Sequence, residues 1–105
     1  MDPIIQRCKE ILEKHYGDRF AGLILYGSQA RGQAEAGSDI DLLVVSTQFD
    51  EMKDRSGINL LWRLAARIDS RIEPIPCGSR QWREDDSSAI IEIARRQGEM
   101  LGVEP

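Results

Sequence analysis

Apolar residues recur with helical spacing in three parts of the chain, and this pattern predicts three amphipathic helices. The first begins with Asp2 before Pro3, a favourable helix start, and the last begins with a run of acids that suits a helix N-terminus. Glycine stops or weakens the far end of the first and last helices. The predicted helices cover residues 2–17, 56–68 and about 84–98.

Three shorter apolar runs, at residues 20–26, 39–46 and 71–76, predict β-strands. The first, FAGLILY, is apolar throughout, so we expect it to be buried on both faces. Alternation along the second places Asp39, Asp41, Leu43 and Val45 on one face. Two prolines in the third limit its pairing and indicate a position near a sheet edge. The order of helix, strand, strand, helix, strand, helix predicts an α/β or α+β sheet covered by helices.

Composition narrows the class of protein. The 105 residues suit one domain, residues 1–105, and 41% hydrophobic with 30% charged residues indicates a globular chain. A net charge of −4 argues against binding to duplex DNA or RNA, which usually requires a basic face. No apolar run approaches the roughly 20 residues that span a bilayer, and the first residues lack a signal pattern. We therefore expect a cytoplasmic protein with no membrane partner.

The few metal-binding or redox-active residues do not suggest a structural zinc site. Cys8 and Cys77 lie far apart and form no C-x-x-C pair, and His15 is the only histidine. We expect both cysteines to be buried, reduced thiols and His15 to lie on the surface or near a helix end.

A turn of small residues follows the first strand. Gly27 allows a sharp turn and close approach of a ligand, because it has no Cβ. Ser28 can cap a short helix whose free N–H groups attract an anion, and Arg31 offers a fork of donors to phosphate oxygens. Alone this is weak evidence, since many strand-to-helix turns use such residues. The alternative for Arg31 is a surface arginine that pairs with Glu35 or another nearby acid.

Two aspartates head the second strand. Asp39 and Asp41 point the same way, with Cα atoms about 6.6 Å apart, and such carboxylates repel each other unless a cation lies between them. Carboxylate oxygens suit Mg²⁺. Two such ions about 3.5–4 Å apart can hold the attacking and the leaving oxygen of an in-line displacement at phosphorus. A strand start exposed to solvent is the alternative interpretation of the pair.

A third carboxylate is expected on a neighbouring strand. Glu73 is the first candidate, because it lies among apolar residues of the third strand. It could act as a metal ligand or as the base that takes a proton from an acceptor hydroxyl. Asp69 is the second candidate, although its place between helix and strand also suits a turn. A solvent-facing acid beside Arg71 is the alternative for Glu73.

The segment GSQARGQAEAGSDIDLLVV resembles the signature of the DNA polymerase β-like nucleotidyltransferases. Gly27 and Ser28 match its opening pair, residues 29–38 its ten-residue spacer, and Asp39 and Asp41 its acidic pair. The short chain is most similar to the minimal nucleotidyltransferase branch, whose members pair with HEPN-domain proteins as antitoxins. The resemblance implies a small mixed sheet of three or four strands flanked by about four helices.

The resemblance also implies roles for residues. Gly27, Ser28 and Arg31 would hold the triphosphate, and Asp39, Asp41 and Glu73 would bind Mg²⁺, two ions with the nucleotide present. The reaction would move a nucleoside monophosphate, AMP from ATP, to a hydroxyl, here a tyrosine of a HEPN toxin. Glutamate rather than aspartate at the third position departs from the pattern.

Two alternatives remain open. The chain could neutralise a toxin by binding alone, with an inherited nucleotide site, and exposed apolar residues of the last helix would then matter. It could instead modify a small molecule or RNA, although relatives with those activities carry extra domains. A homo- or hetero-oligomer is compatible with each.

Overall fold

A computed structural model describes residues 3–27, 39–51, 56–85 and 87–101. In this part of the chain a four-stranded mixed sheet is covered by four α-helices, which confirms the predicted fold class. The helices are α1 (Pro3–Tyr16), α2 (Ser56–Ile68), α3 (Ser79–Glu84) and α4 (Ala89–Gln97). The strands are β1 (Phe20–Tyr26), β2 (Ile40–Ser46), β3 (Ile72–Cys77) and β4 (Glu99–Leu101).

The strands lie in the order β3-β2-β1-β4. β1 pairs antiparallel with β2 and with β4, whereas β2 and β3 are parallel. Parallel neighbours need a crossover, and α2 supplies it between β2 and β3. The third predicted strand therefore lies at a sheet edge, as its prolines indicated.

Apolar residues pack on both faces of the sheet. Ile40, Leu42 and Val44 of β2 face a core that also contains residues of α1 and α2. Leu43 and Val45 face a second core, formed with Trp82 of α3 and Ile91 of α4. The predicted alternation along β2 is thus confirmed, and β1 is buried at its centre on both faces. Cys8 and Cys77 are buried free thiols, one in each core.

The limits of α1, β1 and α2 agree closely with the predictions, but two strand starts differ by one residue. β2 begins at Ile40, which leaves Asp39 at its entrance. β3 begins at Ile72, because Arg71 belongs to a turn whose Asp69 carbonyl accepts the Ile72 N–H at 3.2 Å. Both differences bring the acids closer to the ends of the strands.

Two short elements, α3 and β4, were not predicted. The six residues of α3 are too few to show a helical period, and the backbone N–H of Arg80 in its first turn donates to the Asp50 carboxylate at 3.2–3.3 Å. β4 has three residues and forms by pairing with β1, where the weakened end of the last helix was expected. Gly98 allows this change, since a Cβ there would collide with Ile24.

The last helix starts later than the acidic stretch suggested. Asp85 accepts the backbone N–H groups of Ser87 and Ser88 at 2.7 and 3.1 Å, so it shapes a turn before α4. Ser88 is the N-cap, and its hydroxyl accepts the Ile91 N–H at 3.4 Å. None of the helices in the described ranges is long and apolar enough to cross a membrane.

Candidate active site

Three polar side chains form a row across three strands of the sheet. Asp41 of β2 lies opposite Glu73 of the parallel strand β3, and opposite Tyr26 of the antiparallel strand β1. Paired residues on adjacent strands project from the same face. The row therefore shares its face with Leu43 and Val45, at the end of the sheet where β2 and β3 begin.

Asp39 adds a second aspartate to this row. It lies just before β2 and is exposed, two residues from Asp41 and hence on the same side. Its negative charge is the main cause that raises the pKa of Glu73 above the ordinary value, with burial and the Asp41 carboxylate adding to it. The structure thus brings Asp39, Asp41 and Glu73 within electrostatic reach of one another.

Tyr26 is a member of the site that the sequence analysis did not single out. Burial raises the pKa of its phenol to about 12, and the charges of Asp41 and Glu73 act in the same direction. The hydroxyl is therefore a neutral group beside the acids at physiological pH. Its place beside Asp41 follows from the pairing of β1 with β2, so no local signal in the sequence identified it.

Gly27 provides the space that Asp41 occupies. Its φ of +75° lies in the region that favours glycine, and a Cβ at this position would overlap the Asp41 carboxylate. The turn and the acid thus depend on each other. Ser28 and Arg31, the other predicted phosphate-binding residues, lie outside the described residues, and their roles stay predictions.

The geometry separates the two candidates for the third acid. The Asp69 carboxylate accepts the backbone N–H of Arg71 at 2.9 Å, its Nε at 3.0 Å and its Nη2 at 2.9 Å. The side-chain hydrogen bonds from Arg71 lower the pKa of Asp69 to about 2. Asp69 therefore holds a turn together with Arg71, whereas Glu73 adjoins Asp39 and Asp41.

The acids fit a divalent cation by the chemistry of their donors. Three carboxylates form a concentrated negative charge of hard oxygen ligands, and a cation would relieve their repulsion. Within the described ranges, no three His, Cys, Asp or Glu side chains are already arranged to hold a metal ion. The pairing of Asp41 with Glu73 across β2 and β3, with Asp39 two residues before Asp41, is the observation on which the candidate site rests.

Cavities elsewhere in the described chain do not coincide with these acids. One of about 270 Å³ is lined by Tyr16, Arg19 and Phe49 among others, and one of about 400 Å³ by Asp50 and Arg80 among others. Both lie where β2 ends, at the opposite end of the sheet. The candidate active site is thus identified by its acids and its glycine.

Comparison with known proteins gives a family match over most of the chain. The model of the nucleotidyltransferase domain matches residues 5–105. "Putative protein adenylyltransferase MJ1305" of Methanocaldococcus jannaschii is 33% identical over 78 residues, which cover 71% of this chain and 50% of the relative. "Putative protein adenylyltransferase MJ0141" of the same organism is 30% identical over 73 residues, 69% of this chain and 74% of the relative. The match thus spans half the length of the first relative.

Solved structures share the fold. A crystal structure of a toxin-antitoxin with AMP-PNP matches with a TM-score of 0.65 at 21% identity, covering 94% of this chain and 73% of the other. The toxin-antitoxin MntA-HpeT, crystallised as a mutant, matches with a TM-score of 0.59 at 18% identity. The match covers 90% of this chain and 70% of the other. The resemblance to nucleotidyltransferases that the segment from Gly27 to Asp41 indicated is confirmed, and this chain belongs to the nucleotidyltransferase domain family.

Proposed function

We propose that this nucleotidyltransferase moves AMP from ATP to a hydroxyl of a partner protein. The observation that carries the proposal is the group of acids in which Asp41 and Glu73 lie opposite each other and Asp39 acts on Glu73. Family membership supports the type of reaction. A cytoplasmic location, where ATP is available, is part of the proposal.

Asp39, Asp41 and Glu73 would hold Mg²⁺ through their carboxylate oxygens, and Gly27, Ser28 and Arg31 would hold the triphosphate. When bound, Mg²⁺ supplies positive charge that offsets the repulsion between the acids and the phosphates and favours attack at phosphorus. Gly27 keeps the backbone clear of Asp41, so that the turn and the acid can both approach the nucleotide.

The reaction needs an acceptor oxygen aligned with the α-phosphorus. The new bond joins that oxygen to the α-phosphorus, the bond to the bridging oxygen of the β-phosphate breaks, and pyrophosphate leaves. Glu73 would take the acceptor proton, because a carboxylate with a raised pKa is a better base than an ordinary carboxylate. It could instead serve only as a ligand, and its longer arm is compatible with either role.

We further propose that the acceptor is a tyrosine of a HEPN-domain toxin and that the chain acts as an antitoxin. Two curated relatives are named protein adenylyltransferases, and two structures with the same fold are toxin–antitoxin complexes, one of them with AMP-PNP. The MntA-HpeT mutant replaces two aspartates, two positions apart, with glutamate. Asp39 and Asp41 have the same spacing.

A second candidate function, neutralisation by binding alone, is favoured by the surface of α4. Ile90 and Ile93 are each 43% exposed on this helix. Exposed apolar residues that recur on one helix can form a contact with another protein. Under this alternative the acids would be dispensable for protecting cells from the toxin, and the two isoleucines would be essential.

A labelling assay tests the proposal. The protein is incubated with the product of its neighbouring gene, Mg²⁺ and each α-labelled nucleoside triphosphate in turn. We expect label from ATP on the partner, and none with Asp39→Asn/Asp41→Asn. The control Asp18→Asn/Glu51→Gln removes two exposed acids away from the site and should label normally. Label that persists in the Asp39/Asp41 variant contradicts the proposal, and protection of cells without label favours binding alone.

A further inference from the structure

Tyr26 lies in the same row as the acids, and the proposed reaction does not use it. It stands opposite Asp41, which in turn stands opposite Glu73, so the three side chains share one face of the sheet. The charges of both acids raise the pKa of its phenol, so the ring is within electrostatic reach of both. A ligand held by Asp41 and Glu73 would therefore lie beside Tyr26.

The row lies at the border between a core and an open end of the sheet. Leu43 and Val45, further along the same face, are buried in the second core, and the ring of Tyr26 packs against that core. Tyr26, Asp41 and Glu73 themselves are only half-buried. A tyrosine at such a border can pack its ring and still offer its hydroxyl to a ligand.

The hydroxyl of Tyr26 is a hydrogen-bond donor, which the acids are not. Ionised carboxylates only accept hydrogen bonds, and phosphate oxygens are acceptors as well. A phenol with the ordinary pKa of about 10 is protonated at neutral pH and can donate. Among the residues that the structure describes, no hydrogen bond involves the Tyr26 hydroxyl. A phosphate-bearing ligand beside Asp41 would thus meet a donor that is not already engaged.

The order of the strands indicates which part of the nucleotide Tyr26 would meet. Tyr26 and Glu73 lie on opposite sides of Asp41, because β2 lies between β1 and β3. In an in-line displacement, the acceptor oxygen and the leaving pyrophosphate lie on opposite sides of the α-phosphorus. If Glu73 takes the acceptor proton, the pyrophosphate is therefore on the side of β1. β1 also leads directly into Gly27, where the turn proposed to hold the triphosphate begins.

We propose that Tyr26 is a nucleotide-binding residue whose hydroxyl donates a hydrogen bond to an oxygen of the β- or γ-phosphate of the donor nucleotide. This inference rests on the proposed nucleotidyl transfer, which sets the direction of the nucleotide in the site. A hydrogen bond to an ionised oxygen is stronger than one between neutral groups, so the loss of this hydroxyl should weaken binding measurably. AMP lacks both phosphates and should not depend on the hydroxyl.

The test compares the two tyrosines of the chain. Calorimetry measures the binding of α,β-methylene-ATP and of AMP, each with Mg²⁺, to wild type, Tyr26→Phe and Tyr16→Phe. Tyr16 is the matched control, because it lines the cavity at the opposite end of the sheet and loses the same hydroxyl. A second measurement needs no change at Tyr26. Wild-type protein labelled with carbon-13 at the tyrosine Cζ atoms is titrated with the analogue, and Tyr16→Phe assigns the two NMR signals.

We expect Tyr26→Phe to weaken binding of α,β-methylene-ATP roughly tenfold and to leave AMP binding within about twofold of wild type. The analogue should shift the Cζ signal of Tyr26 but not that of Tyr16, and Tyr16→Phe should bind both nucleotides like wild type. Equal binding of the analogue by wild type and Tyr26→Phe overturns the inference, as does an equal loss for AMP or a Tyr26 signal that does not move.

The proposed function and this inference fail separately. If Tyr26 responds as expected although wild type transfers no label from ATP to the partner, the phosphate contact stands and the proposed function fails. If wild type labels the partner but Tyr26→Phe binds the analogue as tightly as wild type does, the proposed function stands and the phosphate contact fails.

Discussion

At the scale of single residues, the site shows how a glycine and an acid determine each other. The sequence predicted Gly27 as a turn that a ligand could approach, and the structure adds that its missing Cβ leaves room for Asp41. This relation depends on the pairing of β1 with β2 and could not be found from the local sequence. Glu73 and Asp69 were likewise separable only once the contacts of Arg71 were known.

Gly27→Ala should disturb both stability and transfer. Gly17 is the matched control, because it also has a positive φ, +58°, but has no atom within 4 Å of the position that a Cβ would take. We expect Gly17→Ala to lower the free energy of unfolding by about 1–2 kcal/mol through backbone strain alone. Gly27→Ala should lower the free energy of unfolding by about 1–3 kcal/mol more than Gly17→Ala does, because Asp41 must move. Urea denaturation and nucleotide transfer check this, and equal effects of the two substitutions on transfer would contradict it.

The Asp69–Arg71 turn predicts a pH dependence with a definite sign. A lowered pKa means that the folded state favours the charged carboxylate, so this contribution to stability is present above the unfolded pKa of about 3.9. It is lost as the pH falls through the folded pKa of about 2. In Arg71→Met, the pKa of Asp69 should rise toward the ordinary value, as measured by carbon-13 NMR titration. A pKa that stays near 2 in this variant would show that another group lowers it.

At the scale of elements, long patterns were predictable and short ones were not. α1, β1 and α2 each show a period or an apolar run over seven residues or more, and their limits agree closely with the structure. α3 and β4 depend on contacts from elsewhere, the Asp50 carboxylate in one case and pairing with β1 in the other. No local signal predicts such elements.

The link between α3 and α4 should be visible in stability. Arg95 of α4 donates through Nε to the Trp82 carbonyl at 3.1 Å, and its guanidinium lies 5.5 Å from the centre of the Trp82 ring. We expect Arg95→Met to lower the free energy of unfolding by about 1–3 kcal/mol. The neighbouring Arg96→Met removes an exposed pair with Glu92 and should cost less than about 1 kcal/mol. Thermal and urea denaturation measure both losses. An equal loss of stability in the two variants would show that Arg95 does not link α3 to α4.

At the scale of the whole molecule, the sheet joins residues that are far apart in the chain. The i, i+2 spacing of Asp39 and Asp41 made that pair recognisable in the sequence, but Glu73 reaches them only through parallel pairing of β2 with β3. Alternation along β2 correctly divided its residues between the two faces of the sheet, and each face has its own core. The strand order and the place of Tyr26 followed only from the assembled sheet.

The role of Glu73 in the acid group is tested by comparing the two candidate third acids. Intact mass spectrometry follows adenylylation of the partner by wild type, Glu73→Gln and Asp69→Asn, in the presence of ATP and Mg²⁺. If Glu73 completes the acid group, Glu73→Gln should be roughly 10²- to 10⁴-fold slower, while Asp69→Asn stays close to wild type. Transfer by Glu73→Gln at the wild-type rate would show that Glu73 does not complete the acid group.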